Sequence, residues 1–271
     1  GSPPTITSKM DEWLKQTIIS HTPLDFGYDT PLWTCNILAA LLHEQFKVHV
    51  VAETVNHHLH NMDLTNQKPE YNAKEQDADA VDKFLNEEFP KIQRFGADIG
   101  FEDEASVDLR EHSGKTWGES GKRPKVFVTG RRGRLNILSV VTAKGKMNFH
   151  VEEKNIDSGV FVKFLKQLIK DRSKPIILIL DQAPFHKSKI VRRFIWHNRR
   201  KIRLHFLPPY SPKLNPDEHV WEEIKDKKIN RCSAKNKRDL KNKLASELRS
   251  LQKLKKRVIS FFHLENTLYA S

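Results

Sequence analysis

Cysteine is nearly absent: Cys35 and Cys232 are the only two in 271 residues, and they stand far apart without neighbouring ligand sets. Such sparse sulfur excludes a disulfide framework and a thiolate zinc site, and it suits a reducing cytoplasm. Long apolar runs are also missing. Nothing approaches the roughly 18 consecutive apolar residues of a membrane helix, and the N-terminus lacks the charged and apolar regions of a signal peptide. No membrane partner is expected. An initiator Met is absent too: Gly1-Ser2 reads as the remnant of a cleaved tag, with the natural chain extending further upstream. Acid is outnumbered, with 34 Asp plus Glu against 47 Lys plus Arg, a formal charge of +13. That excess favours an anionic partner, most often nucleic acid.

What is present divides into a helical part and a mixed part. Residues 8–62 carry three helical patterns, "SKMDEWLKQTIIS", "TPLWTCNILAALLHEQF" and "VAETVNHHLHNM". The second sets Leu32, Ile37, Leu38, Leu41 and Leu42 on one face, with Thr34 as cap. The third offers Val55 and Leu59 at i, i+4 and leaves Thr54, Asn56 and His57 as polar candidates for reading bases. Two helices joined by a short connection, the second polar on one side, form a helix-turn-helix pattern, so 3–63 is expected to be an all-α DNA-binding domain. The polar stretch 64–76, with Pro69, suits a linker, and 77–271 is expected to form a second domain with a basic helical C-terminal tail.

In that second part, "DADAVDKFLNEEFPKIQRF" has helical spacing and "ADIGFEDEASV" reads as a strand. Then "KVFVTG", "RLNILSVVTA" and "KMNFHVEEK" read as three β-runs separated by hairpin turns at "RRG" and "KGK". A helix over 158–171, a strand over 176–180, a helix over about 186–199 and the strand "KIRLHFLP" follow. Strands alternating with helices in this order predict an α/β, ribonuclease-H-like mixed sheet flanked by helices.

In open sheets of this kind, sites form beyond the carboxyl ends of parallel strands. Asp181 ends "ILILD", and Asp103 is read as closing "IGFEDE". Glu218, in "NPDEHVW", falls in a first helical turn with Asn215 as cap and Pro216 at the start. Carboxylates converging from these places would repel one another unless a hard divalent cation such as magnesium sat between them. Spacing leaves Glu104 and Asp217 as rivals and Asp98 as a weaker one, while His186 is a candidate to position a ligand or phosphate. Isolated acids at strand ends are also common turn formers. Trp117 suits core packing better than base stacking.

Four ordered blocks, "FEDEASV", "TWGESGKRP" (116–124), "ILILDQAPFHKSK" and "LPPYSPKLNPDEHVWEEIK", together resemble bacterial insertion-sequence transposases of the Tc/mariner superfamily, the IS six-thirty branch. The likeness extends upstream through "GYDTPLWTCNILAALLHEQF" and covers most of 8–230. It implies a DDE catalytic core in which Asp103, Asp181 and Glu218 are the catalytic, metal-holding triad, with two Mg2+ ions for which Mn2+ substitutes. It implies cleavage at transposon ends and attack of the freed 3′ hydroxyl on target DNA, typically at TA. Partners would be double-stranded terminal inverted repeats and target DNA, bound by a homodimer in the bacterial cytoplasm at the nucleoid. Gln182 departs from the Asn common in the family, and a second helix-turn-helix usual in the family is not evident. Against this background Arg131, Arg132, Arg134, Lys187, Lys189, Arg192 and Arg193 become candidates for phosphate contact. Two alternatives stand beside it: a non-catalytic DNA-binding derivative, and a metal-dependent nuclease of the same fold.

Overall fold

The computed structural model describes residues 5–67, 69, 73–110, 116–117, 119–122, 124–170, 172–226 and 228–271. Residues 68 and 70–72 of the expected linker, and 118 and 123 of the "TWGESGKRP" block, lie outside the described residues. The chain divides into two compact units, Gly1–Tyr71 and Asn72–Ser271.

The first unit contains α1 (Ser8–Ser20), α2 (Cys35–Phe46) and α3 (Ala52–Asn61). Thr34 caps α2, its hydroxyl accepting the Ile37 N–H at 3.2 Å; such caps contribute about 1 kcal/mol. Leu14 of α1, Leu38 and Leu42 of α2, and Val55 of α3 meet in one core. Leu32 precedes α2 and is 41% exposed, so it does not share the apolar face expected of it. Asn56 and His57 are exposed on α3, and Thr54 is half-buried.

The second unit opens with α4 (Ala78–Lys83) and α5 (Phe89–Gln93), joined by a π-helical stretch, Phe84–Glu88. Five strands follow, β1 (Asp98–Asp108), β2 (Arg134–Val141), β3 (Met147–Glu152), β4 (Ile176–Leu180) and β5 (Ile202–Phe206), in the order β3-β2-β1-β4-β5. β1 pairs antiparallel with β2 and parallel with β4, and β4 pairs parallel with β5. Helices α6 (Ser158–Lys170) and α7 (Lys189–His197) connect the parallel strands, while α8 (Glu218–Trp221), α9 (Lys237–Lys253) and α10 (Lys255–Ser260) complete the unit.

Strand alternation divides the apolar residues between two cores. Ile177 and Ile179 of β4 join Phe101, Ile137 and the leucines of α9 on one face. Ile176, Leu178 and Leu180 join Leu138, Val140 and the buried stripe of α6 on the other. A sheet covered on both faces explains why "IILIL" is continuously apolar. Leu240, Leu244, Leu248 and Leu251 of α9 are all buried, each contributing about 1.5–3 kcal/mol by leaving water. The apolar side of the basic C-terminal helix α9 is therefore part of this unit's core.

Three expected features are corrected. Residues 125–130, "KVFVTG", form no strand: Phe127 is 94% exposed and Val126 70%. The β1–β2 ladder closes instead where the Leu109 N–H donates to the Gly133 carbonyl at 2.7 Å. "RRG" is thus not a hairpin turn but the end of a long connection, and Trp117 within it is 98% exposed rather than in a core. The second hairpin does form, with Gly145 at φ +74° turning β2 into β3, a conformation that favours glycine.

Candidate active site

β1 changes partner along its length. Asp98 to Phe101 pair with β4, and Phe101 to Asp108 pair with β2, so Asp103 stands in mid-strand, just beyond the last residue paired to β4. It does not close the strand as the sequence suggested, because antiparallel pairing carries β1 onward. It is nonetheless level with the carboxyl end of the parallel part of the sheet, where Asp181 follows Leu180.

Alternation on β1 separates the acids of "FEDE". Asp103 shares a face with its cross-strand partner Ser139 and looks toward α8, whereas Glu102 and Glu104 point to the other face. Asp103 Oδ2 accepts the Trp221 indole N–H at 2.9 Å. Burial, then the charges of Glu218 and Asp217, push its carboxyl well above the usual range, against the Glu104 backbone N–H and the Trp221 bond.

Asp217 is fully buried and receives the Ser139 hydroxyl at 2.5 Å; burial pushes its carboxyl well up. Glu218 opens α8. Its local turn is set by Asn215, whose Oδ1 accepts the Asp217 N–H at 3.1 Å, and whose amide donates to the Glu102 carbonyl at 2.9 Å. Asp217, not Asn215, takes the N-cap position, and α8 begins at Glu218 rather than at Pro216; Asn215 instead braces the turn just before the helix and ties it to β1. Glu218 is raised by burial and then by Glu222 and Asp181, with His219 and Lys225 opposing.

Asp181 behaves differently. Burial raises it, but the His186 hydrogen bond and the Ala183 N–H outweigh that and hold its carboxyl below the usual value. Neighbouring Gln182 donates to the Leu207 carbonyl at 3.0 Å and accepts from Lys187 Nζ at 2.7 Å. The longer side chain, where the family commonly has Asn, thus braces the ends of β4 and β5.

Asp103, Asp181 and Glu218 line one cleft of about 460 Å³, together with Gln182, Asn215 and Tyr210. The rivals are arranged otherwise. Asp98 lies at the opposite end of β1, paired with Lys144 at 3.0 Å and with Arg172. Glu104 faces away from Asp103, raised by burial and Asp181 to about 7. Among the described residues, no group of three or more His, Cys, Asp or Glu side chains is arranged to hold a metal ion as it stands. The donor chemistry still suits a hard divalent cation: the cleft offers carboxylate oxygens whose negative charges raise one another.

Of the basic candidates, Lys187, Lys189, Arg192 and Arg193 are exposed in and just before α7, and Arg131 and Arg132 are exposed before β2. Arg134 reaches across the ladder to Ser106 Oγ at 2.7 Å, a structural contact. Sequence reasoning did not single out Glu102, Ser139 or Trp221; alternation within "FEDE" was the available signal for Glu102.

A mixed sheet presenting acids from its central strands and a following helix defines a ribonuclease-H-like nuclease class. Residues 98–241, more than half of the chain, match the family described as DDE superfamily endonuclease, and the chain belongs to that family. Residues 29–88 match the winged helix-turn helix family. The chain is 27% identical over 225 residues to the insertion element IS630 uncharacterized 39 kDa protein of Shigella sonnei, covering 79% of this chain and 63% of that protein. It is thus similar to somewhat under two thirds of that relative's length. Over 50 residues it is 46% identical to the uncharacterized protein y4pE/y4sA of Sinorhizobium fredii, covering 18% of this chain and 33% of that one. Its fold is similar to the Mos1 transposase in its paired-end complex with the left transposon end, with TM-score 0.62 at 14% identity over all of this chain and 81% of that one. A Mos1 mariner paired-end complex with Mg gives TM-score 0.63 at 14% identity over the same shares. These likenesses agree with the Tc/mariner insertion-sequence resemblance of the four motifs. Among the described residues, no helix is long and apolar enough to cross a membrane.

Proposed function

We propose that the chain is the DNA-cutting and DNA-joining part of a bacterial transposase, with Asp103, Asp181 and Glu218 as its catalytic carboxylates. The observation that carries this reading is their meeting in one cleft from β1, the end of β4 and the start of α8. Membership in the DDE endonucleases supplies the reaction class.

The three carboxylates would hold magnesium, with manganese as substitute and two ions per site. Bound there, divalent metal supplies charge neutralisation and activation of an oxygen nucleophile for in-line displacement at phosphorus. The protein's own groups prepare that arrangement. Trp221 orients Asp103, Asn215 fixes the turn that presents Glu218, and His186 with the Ala183 N–H keeps Asp181 ionised. In the hydrolytic step a water oxygen bonds to phosphorus as the 3′ oxygen leaves. In the joining step that 3′ hydroxyl is itself the nucleophile: its oxygen bonds to a phosphorus of target DNA, expected at TA, as the target strand's own 3′ oxygen leaves.

Double-stranded inverted repeats and target DNA are the proposed partners, and a homodimer on paired ends is the proposed assembly, at work in the bacterial cytoplasm and nucleoid. Thr54, Asn56 and His57 on α3 would read bases in the major groove. Arg131, Arg132, Arg134, Lys187, Lys189, Arg192 and Arg193 would contact phosphates, Arg134 only by giving up its bond to Ser106.

The test is cleavage of a supercoiled plasmid carrying the element's ends, with magnesium or manganese, by this chain and by Asp181→Ala. Metal-dependent cutting that vanishes in the variant is expected, followed by joining of pre-cut ends. Cutting that survives in Asp181→Ala would overturn the assignment of the site.

A further inference from the structure

His186 is only 2% exposed, in the turn between β4 and α7. Its ring is held between aromatic neighbours, with centroids 4.1 Å from Phe185 and 4.6 Å from Phe161. Nδ1 lies 3.0 Å from Asp181 Oδ1 and 3.4 Å from the Asp181 carbonyl. Nε2 lies 3.3 Å from Oε2 of Glu102, whose side chain is fully buried, an ion-pair distance without hydrogen-bond geometry, and neither atom has a hydrogen-bond partner among the described residues. Two acceptors on the Nδ1 side require that nitrogen to carry the proton, whatever the state of Nε2.

Asp181 Oδ1 also accepts the Ala183 N–H at 2.9 Å. One oxygen of this carboxylate is therefore anchored twice, while Oδ2 has no protein donor among the described residues. Glu102 is adjacent to Asp103 on β1, so the imidazole spans from the strand bearing one cleft carboxylate to the end of the strand bearing another.

We propose that Glu102 and His186 form a buried positioning pair that fixes the Asp181 carboxylate, anchoring Oδ1 through His186 Nδ1 so that Oδ2 is the oxygen offered to a divalent cation. The proposal rests on the reading of Asp181 as a metal-holding carboxylate. Groups behind a ligand commonly tune metal affinity by 10- to 100-fold, and a buried, aromatic-clamped imidazole is a stiff support of that kind. Asn in place of His186 sets an amide nitrogen near the position of Nδ1; Gln sets one near Nε2. Only the first preserves the contact that matters.

Manganese binding to the intact chain, measured by calorimetry without DNA, tests this in His186→Ala, His186→Asn, His186→Gln and Asp181→Ala, with a melting temperature for each and plasmid cleavage alongside. His186→Ala is expected to weaken manganese binding about 10-fold or more, His186→Asn to recover most of it, and His186→Gln to recover little. A purely structural His186 would make Asn and Gln fall together in step with melting temperature, and that result, or unchanged binding in His186→Ala, overturns the pairing. If Asp181→Ala loses binding and cutting while His186→Ala keeps both, only the positioning proposal fails. If Asp181→Ala keeps both, or the unaltered chain binds no manganese, the metal-site reading fails and the positioning proposal with it.

Discussion

The indole of Trp221 donates to Asp103 across 118 residues of sequence, Nε1 to Oδ2 at 2.9 Å. One ring thereby links the mid-strand carboxylate of β1 to the helix that presents Glu218. Trp221→Phe keeps the packing and removes the donor, which lets the already raised Asp103 carboxyl rise further. Ionised carboxylates are what a cation requires, so cutting is lost as pH falls through their raised values. The expected result is an acid limb of the pH–rate profile displaced to higher pH, with a stability loss of about 1 kcal/mol. An unmoved limb would show that the bond does not act on Asp103.

Glu104 makes the opposite prediction for stability. Burial and the Asp181 charge raise its carboxyl from 4.5 to about 7. Within that window the folded chain holds a proton that the unfolded chain has released, so stability falls as pH rises through it. Glu104→Gln removes the penalty. Without divalent metal it is expected to stabilise the chain at pH 8 by about 1 kcal/mol, solvent screening of this partly exposed side chain reducing the effect. At pH 5 the gain should be much smaller; thermal melts at the two pH values decide.

Ser139 and Asp217 are both fully buried, and the Ser139 hydroxyl is the donor to Asp217 Oδ2. Ser139→Ala strands that oxygen, at a cost of about 2 kcal/mol measured by urea unfolding. Asp217→Asn, neutral and nearly the same size, should retain more plasmid cutting than Glu218→Gln if Glu218 is the cleft carboxylate.

Gly100 has no room for a methyl group: a Cβ there would meet Val140 Cγ1 at 2.8 Å and Ile176 Cδ1 at 3.0 Å. Gly100→Ala should destabilise by about 1–3 kcal/mol through overpacking. Adding Val140→Ala should return part of that loss, since touching sites are not additive. Additive losses in the double variant would place the strain elsewhere.

The sheet was legible because its periodicity is strong. "IILIL" is continuously apolar, and α6 and α9 carry unbroken apolar stripes. "KVFVTG" was misread because alternation describes a strand only when a partner ladder exists, and here the β1–β2 pairing ends at Leu109 and Gly133. Asp103 illustrates a finer limit. Its proximity to the end of parallel pairing was readable, but its mid-strand place depends on β1 exchanging β4 for β2, which no local pattern encodes. Glu102 was hidden by its acidic neighbours: only burial of both sheet faces turns the second letter of "FEDE" inward, where His186 meets it. The DNA-contact candidates rest on residue type and exposure, and sequence offered little beyond that.

The chain's last residues reach back to the cleft. The Tyr269 hydroxyl donates to the Leu214 carbonyl at 2.7 Å, immediately before the Asn215 turn, while its ring packs edge-on against Phe89 at 4.7 Å. Loss of the Tyr269 side chain would therefore remove none of the three cleft carboxylates, yet it would unlatch the loop that leads to Glu218. A substitution there that looks remote from the cleft along the chain is one hydrogen bond away from the Asn215 turn.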